Sequence, residues 1–256
     1  MLAVERKAKI QEIVDRQGSV ECGELIRIFE VTGETLRKDL MDLESKGLLY
    51  RTHGGAVSTK GAVPIRNVTS RMDEHIEQKR ELSKYALQFV DEGDIIAIDE
   101  GSTAVEFANM LVGRFKSLTI ITHCMSVFNC IRSLDGFNVI LTGGQFLKDE
   151  NAFYGQIALD TLSNIRVGKL FLCPSAVSLE SGVMDFNCEM YQIQRKYLTI
   201  ADRVFVLADS SKFCRTSVFK ICDIMQNITF VTDSGITEGV CKQFAEKNIN
   251  LIRGED

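Results

Sequence analysis

Four short stretches of this chain carry side chains suited to holding an anionic, hydroxyl-bearing molecule. Asp99-Glu100-Gly101-Ser102-Thr103 and Asp209-Ser210-Ser211-Lys212 each join a carboxylate to hydroxyls, and the second adds an ammonium. Thr122-His123 and Thr142-Gly143-Gly144 supply further polar groups and tight turns. Backbone N–H groups at a helix start bind phosphate well, because first-turn amides have no partner within the helix and the helix dipole adds positive charge. Gly101 would allow a sharp turn, Ser102 and Thr103 would supply such amides, and Lys212 a cation. Asp99 and Asp209 would accept from sugar hydroxyls. A small phosphorylated polyol fits that set.

Each stretch follows a short apolar, β-branched run. These runs lie at 94–99 (DIIAID), 118–122 (LTIIT), 137–142 (FNVILT) and 203–208 (RVFVLA), with two more at 169–173 and 228–232. Near-continuous apolar runs mark strands covered on both faces. Helical patterns at 103–112, 125–134, 188–201 and 237–247 alternate with them, so the spacing predicts a parallel α/β sheet. Ligands of such sheets bind beyond the carboxyl ends of the strands, where the polar stretches fall.

The first sixty residues follow a different pattern. Ile10, Ile13 and Val14 predict one helix, stopped by Gly18, and Leu25, Ile28 and Phe29 a second, over about 22–29. Thr32 is placed to cap a third, whose apolar stripe is Leu36, Leu40 and Leu43 and whose stop is Gly47. Glu34, Thr35, Arg37, Lys38 and Met41 fall on its other face. Residues 48–51 read as a strand, His53-Gly54-Gly55 as a turn and Ala56-Val57 as the returning strand. Three helices and a β-wing describe a winged helix-turn-helix, with the third helix free to enter a major groove. Base edges would be read by Glu34, Thr35, Arg37 and Lys38, and phosphate or minor groove met by Arg51 and His53. Residues 1–57 hold nine Lys or Arg against ten Asp or Glu, so positive potential must come from local groups such as Arg6, Lys7 and Lys9.

Glu24-Leu25, Val31-Thr32, Thr35-Leu36-Arg37-Lys38-Asp39-Leu40, Gly47 and Arg51-Thr52-His53-Gly54-Gly55-Ala56 closely resemble the DNA-binding signature of DeoR-type bacterial transcriptional regulators. Asp99 through Thr103, Thr122, Gly143-Gly144 and Leu207 through Phe213 are similar to motifs of that family's effector domain. The resemblance runs from Lys7 to about Lys247. It implies an effector domain with the fold of sugar-phosphate isomerases and coenzyme A transferases, and a phosphorylated sugar-like effector. This chain departs at His123, where Asn is usual, at Gln194, where Lys is often found, and around Cys173-Pro174-Ser175-Ala176.

The resulting expectation is a winged helix-turn-helix domain over 1–57, a linker over 58–75 with low apolar periodicity, and an effector-sensing α/β domain over 76–256. The protein would be a repressor of carbohydrate genes that binds double-stranded operator DNA. One small winged domain makes few contacts, so a homodimer or homotetramer is expected. The rival reading is a sugar-phosphate isomerase or CoA-transferase-like enzyme carrying a DNA module, with Asp99, Asp209 and Lys212 in acid–base roles. No G-x-S-x-G, G-x-G-x-x-G or P-loop pattern occurs, so no catalytic residue and no cofactor is expected. The eight cysteines form no C-x-x-C pair, so free thiols in the cytoplasm and no metal are expected. Net charge is −5, and no run of 18 apolar residues suggests a membrane span.

Overall fold

In the computed structural model, residues 3–51, 54–58 and 67–254 are described. His53, expected in the wing turn, lies outside them, as do residues 59–66 of the expected linker.

The chain opens with α1 (Ala3–Gln17), β1 (Ser19–Glu21), α2 (Cys22–Phe29), α3 (Gly33–Ser45), β2 (Leu49–Arg51) and β3 (Gly55–Ser58). Ile10 and Val14 of α1, Leu25 of α2, Leu36, Leu40 and Leu43 of α3, and Leu49 of β2 bury one small core. Glu30 adopts the left-handed conformation (φ 50°), which turns the chain sharply between α2 and α3. Thr32 Oγ1 accepts a hydrogen bond from the Thr35 N–H at 3.3 Å, so α3 starts on a satisfied amide. At its other end the Gly47 N–H donates to Glu44 O and the Leu48 N–H to Leu43 O, with Gly47 at φ 68°. That pair is a Schellman motif, whose left-handed residue is most easily a glycine, here Gly47. β2 and β3 pair antiparallel as the wing, Arg51 opposite Ala56. β1 adds a third strand beside β3. Three residues are too few to show alternation, so nothing in the sequence marked it.

Two cations assigned to DNA phosphate have internal partners instead. Arg6 Nε pairs with Asp39 Oδ2 at 2.6 Å and Lys7 Nζ with Asp42 Oδ2 at 2.6 Å. Both clamp α1 to α3, because Asp39 and Asp42 lie on the flank of α3 that faces the first helix.

The larger domain holds α4 (Val68–Arg71), α5 (Ile76–Ala86), β4 (Ile95–Ile98), α6 (Ser102–Leu111), β5 (Leu118–Thr122), α7 (Met125–Ile131), β6 (Phe137–Leu141), β7 (Gln145–Leu147), β8 (Ala152–Tyr154), α8 (Gln156–Ser163) and β9 (Val167–Leu172). It continues with β10 (Ala176–Ser178), β11 (Gly182–Asp185), α9 (Cys188–Ile200), β12 (Ala201–Leu207), β13 (Phe219–Cys222), β14 (Ile228–Val231), α10 (Glu238–Glu246) and β15 (Asn250–Ile252). Seven strands form one parallel sheet in the order β15-β14-β12-β9-β4-β5-β6. Ile96, Ile98, Phe171 and Phe205 pack on one face with Leu82, Phe107 and Val127. Ala97, Leu170, Leu172 and Val206 pack on the other with Ile193, Tyr197 and Phe244. Residues of both parities are thus buried, which is why the runs read as continuous rather than alternating.

The hairpin β7–β8, the antiparallel sheet β10-β11-β13 and the helix α8 were not expected from sequence. Their strands are only three or four residues long and interrupted by polar positions. Among the described residues of the expected linker, Ser58 ends β3 and 67–75 include the helical turn α4, which is tied to the sensor domain by Val68 N–H donating to Asp149 O at 2.9 Å.

Thr32→Ala removes the α3 cap and should lower the stability of the small domain by about 1 kcal/mol. Faster amide exchange at the first turn of α3 checks it; unchanged protection there would mean the cap contributes nothing.

Candidate functional site

Beyond the carboxyl ends of β4, β9 and β12, the three middle strands of the sheet, opens a cavity of about 350 Å³. Ser102 at the start of α6, Ser175 after β9, and Asp209, Ser211 and Lys212 after β12 form one wall. Arg71, Glu74, His75 and Lys79, from the chain that enters the domain, form the other, with Phe186 and Arg215 beside them. Four fixed cations face two carboxylates, so the space favours an anion. Its size suits a metabolite.

Local geometry holds these groups in place. Asp209 accepts the Ser211 N–H at 3.1 Å and caps the short turn Ser210–Lys212, while Asp233 accepts the Ser210 N–H at 2.6 Å. Lys212 Nζ donates to Pro174 O at 2.9 Å. Lys79 Nζ donates to Arg71 O at 2.5 Å and to Glu74 O, which pins the entering chain. Burial, with Lys212 and Arg71 close by, brings the Lys79 ammonium down to about 8. A bound anion would favour the charged form of Lys79.

Behind the cavity lies a buried polar cluster. Asp99 Oδ2 accepts from the Cys173 N–H at 2.9 Å and from Gln194 Nε2 at 3.1 Å, and the same amide donates to Asp185 Oδ2 at 3.2 Å. Arg71 Nη2 is ion-paired with Glu150 Oε2. Burial raises the carboxyls of Asp99 and Glu150 to about 7 and that of Glu100 well above the usual range. Asp99 Oδ1, Glu100 Oε2, Thr103 Oγ1, His123 Nε2, Gln194 Oε1 and Arg71 Nε are buried with no hydrogen-bond partner. Orphaned buried polar atoms are costly, and so many in one place invite a ligand or water that completes them.

Of the ten residues expected to bind an effector, Ser102, Asp209 and Lys212 line the cavity. Asp99 and Thr103 lie in the cluster behind it. Gly101 (φ 97°) lets the chain turn from Asp99 into α6. Thr122 and His123 are fully buried beneath; Thr122 Oγ1 accepts the Cys124 N–H at 3.0 Å, and His123 Nδ1 meets Tyr197 Oη at 3.2 Å. Burial pushes the His123 imidazole down to about 3, so it stays neutral and offers an anion no charge. Gly143 and Gly144 are not brought to the cavity. They follow β6, the edge strand, and Gly144 packs against Tyr154 and Ala158. The sequence places both glycines at a strand end but cannot show that this strand lies two places from β4.

Lys79, Arg71, Ser175 and Arg215 were missed. Lys79 had a readable signal: it precedes Leu82 by three residues and Ala86 by seven, a lysine on an apolar stripe. Arg71 had none, being one of three cations in a stretch without periodicity.

On the small domain, Glu34, Arg37, Lys38 and Met41 are exposed along α3 and Thr35 is half-buried. Lys38 Nζ pairs with Glu34 Oε1 at 3.0 Å, and Arg51 Nε with Glu44 Oε2 at 2.8 Å. Arg37 has no partner among the described residues and stands free on the exposed face.

Comparison with known proteins agrees with both halves. A family described as "DeoR-like helix-turn-helix domain" matches residues 6–62, and "DeoR C terminal sensor domain" matches residues 74–234. The HTH-type transcriptional regulator YulB of Bacillus subtilis is 31% identical over 98% of this chain and 96% of its own length. The lactose phosphotransferase system repressor of Staphylococcus epidermidis is 31% identical over 97% and 98%, and the L-fucose operon activator of Haemophilus influenzae 29% identical over 96% and 98%. Ribose 5-phosphate isomerase A from Methanocaldococcus jannaschii aligns at a TM-score of 0.41 and 16% identity, covering 55% of each chain, and no activity follows from a likeness that distant. The enzyme reading gives way to the regulators that match nearly end to end: this chain belongs to the DeoR family and is a DNA-binding transcriptional regulator with a carboxyl-terminal sensor domain.

Proposed function

We propose that this protein represses genes for the uptake or breakdown of a sugar, and that a phosphorylated sugar bound in the cavity controls its hold on operator DNA. The observation that carries this reading is the cation-walled cavity backed by buried polar atoms without partners. Phosphate would meet Lys212, Arg215, Lys79 and the first-turn amides of α6 at Ser102. Sugar hydroxyls, which both donate and accept, would complete Asp99 Oδ1, Gln194 Oε1 and Thr103 Oγ1. Relatives named for lactose and fucose systems support a carbohydrate effector.

At the DNA end, α3 would lie in the major groove with Glu34, Thr35, Arg37 and Lys38 toward base edges, and the wing would meet the backbone through Arg51 and His53. Arg37 is the side chain best placed for bidentate contact with a guanine, because no carboxylate among the described residues holds it. Arg51 must leave Glu44 or contact phosphate from within that pair. Two or four copies acting together, in the cytoplasm, would engage paired half-sites, with residues 1–57 on DNA, 58–75 as the connection and 76–256 sensing the effector. The ligand shifts DNA affinity only by its difference in affinity for the two states.

Thermal unfolding in the presence of sugar phosphates tests the sensor. Glucose 6-phosphate, galactose 6-phosphate, fructose 1-phosphate and ribose 5-phosphate should include at least one that raises Tm, by about 2.7 kcal/mol of added stability at a hundredfold excess over Kd. The free sugars should not, and Lys212→Ala should abolish the shift. Equal shifts from unphosphorylated sugars would overturn the phosphate assignment. Arg37→Ala should weaken operator binding by about 1–3 kcal/mol while changing affinity for random DNA much less, as read by gel shift at fixed salt. An equal loss on both would reduce Arg37 to a phosphate contact.

A further inference from the structure

Arg71 touches both the cavity and the carboxylates behind it. It lines the cavity near Lys79 and Lys212. Its guanidinium is ion-paired to Glu150 and lies 5.4 Å from the centre of the Phe186 ring, with Nε left unpartnered. Glu100 and Asp185 act on the charge of Arg71 and of Glu150 alike, and Asp99 acts on Glu100. Glu150 itself is 1% exposed, so Arg71 is its source of positive charge in a place that water does not reach.

An anion entering the cavity therefore meets a guanidinium that is already engaged. Resting on the reading of the cavity as a phosphate site, we propose that Glu150 is an internal competitor for the effector's anionic group: the ligand captures Arg71, the Arg71–Glu150 pair breaks, and Glu150 takes a proton from solvent in its place. Leaving that carboxylate charged and alone would cost several kcal/mol, so protonation is the accessible route. Burial already holds the Glu150 carboxyl at about 7 with the guanidinium beside it; losing the guanidinium moves it further up. The charge of Asp185 deepens that preference for the neutral form, while a hydrogen bond from Glu100 opposes it.

The exchange is placed to be felt outside the cavity. Arg71 ends α4, whose Val68 N–H is bonded to the carbonyl of Asp149, next to Glu150, and Lys79 Nζ holds the Arg71 carbonyl. A pull on Arg71 acts on the chain that runs back toward β3 of the DNA-binding domain.

Calorimetry on the full-length protein tests this, with sulfate and glucose 6-phosphate as probes. Sulfate keeps a constant charge between about pH 6 and 7.5, where Glu150 and Asp99 both change theirs and Lys79 remains mostly protonated, so E150Q separates Glu150 from Asp99. In wild-type protein, sulfate binding should take up protons, read from buffers of different ionisation enthalpy, and should weaken as pH rises through that window. E150Q should bind sulfate roughly three- to tenfold more tightly with the slope flattened, because no competitor remains. R71Q should bind it roughly tenfold or more weakly. Wild-type binding without proton uptake overturns the proposal and needs no variant. So does E150Q binding no tighter than wild type with the slope retained, which would make the pair a structural bridge. If neither probe binds to wild type or E150Q, the anion-site reading falls as well, an outcome distinct from the other two.

Discussion

A cluster of carboxylates has been drawn out of water behind the carboxyl edge of the sheet, and one guanidinium stands between it and the cavity. That constraint organises the sensor domain. Asp99, Glu100, Glu150 and Asp185 are all nearly inaccessible, and burial raises each of them toward the neutral form. A buried charge needs a partner, and here the partner comes from the chain that joins the two domains rather than from the sheet. The fold of the sensor and its link to the DNA-binding module thus meet at Arg71. Charge is unevenly distributed: four cations and two carboxylates face the cavity, while a cluster made mostly of acids lies behind it.

The DNA-binding domain solves an opposite problem. Its charge is close to balanced, so attraction to a duplex depends on which cations are left free. The fold ties Arg6, Lys7 and Arg51 to Asp39, Asp42 and Glu44, and these bridges set how α1 and the wing sit on α3. Exposed pairs of this kind add little stability, but Arg6 and Asp39 are mostly buried, and there the bridge fixes geometry. Arg37 is spared, and it lies on the face that the apolar stripe of α3 turns outward.

Much of the architecture was legible because its signals are local. Thr32, Gly47 and the Leu36-Leu40-Leu43 stripe mark α3 by backbone chemistry alone. The six apolar runs mark strands because a sheet covered on both faces buries residues of both parities. Elements held only by neighbours were silent: β1, the β7–β8 hairpin and the β10-β11-β13 sheet have three or four residues each and take their shape from pairing. The site divided in the same way. Ser102, Asp209 and Lys212 were legible because turns after strands leave polar signatures, whereas Arg71 sits in a stretch that looks like plain linker.

By itself, the sequence determined that there would be a capped reading helix, a doubly covered parallel sheet and polar turns at its strand ends, because capping, turn chemistry and apolar periodicity act between residues close in the chain. Tertiary structure alone decided which strand ends share a cavity. Strand order sends Gly143 and Gly144 to the edge and brings Ser102 beside Lys212. Tertiary structure also decided that His123 is neutral, that Arg37 is free while Arg51 is not, and that Arg71 faces Glu150 from 79 positions away. Charge and protonation depend on burial and on partners brought from distant parts of the chain, and no spacing along the sequence records either.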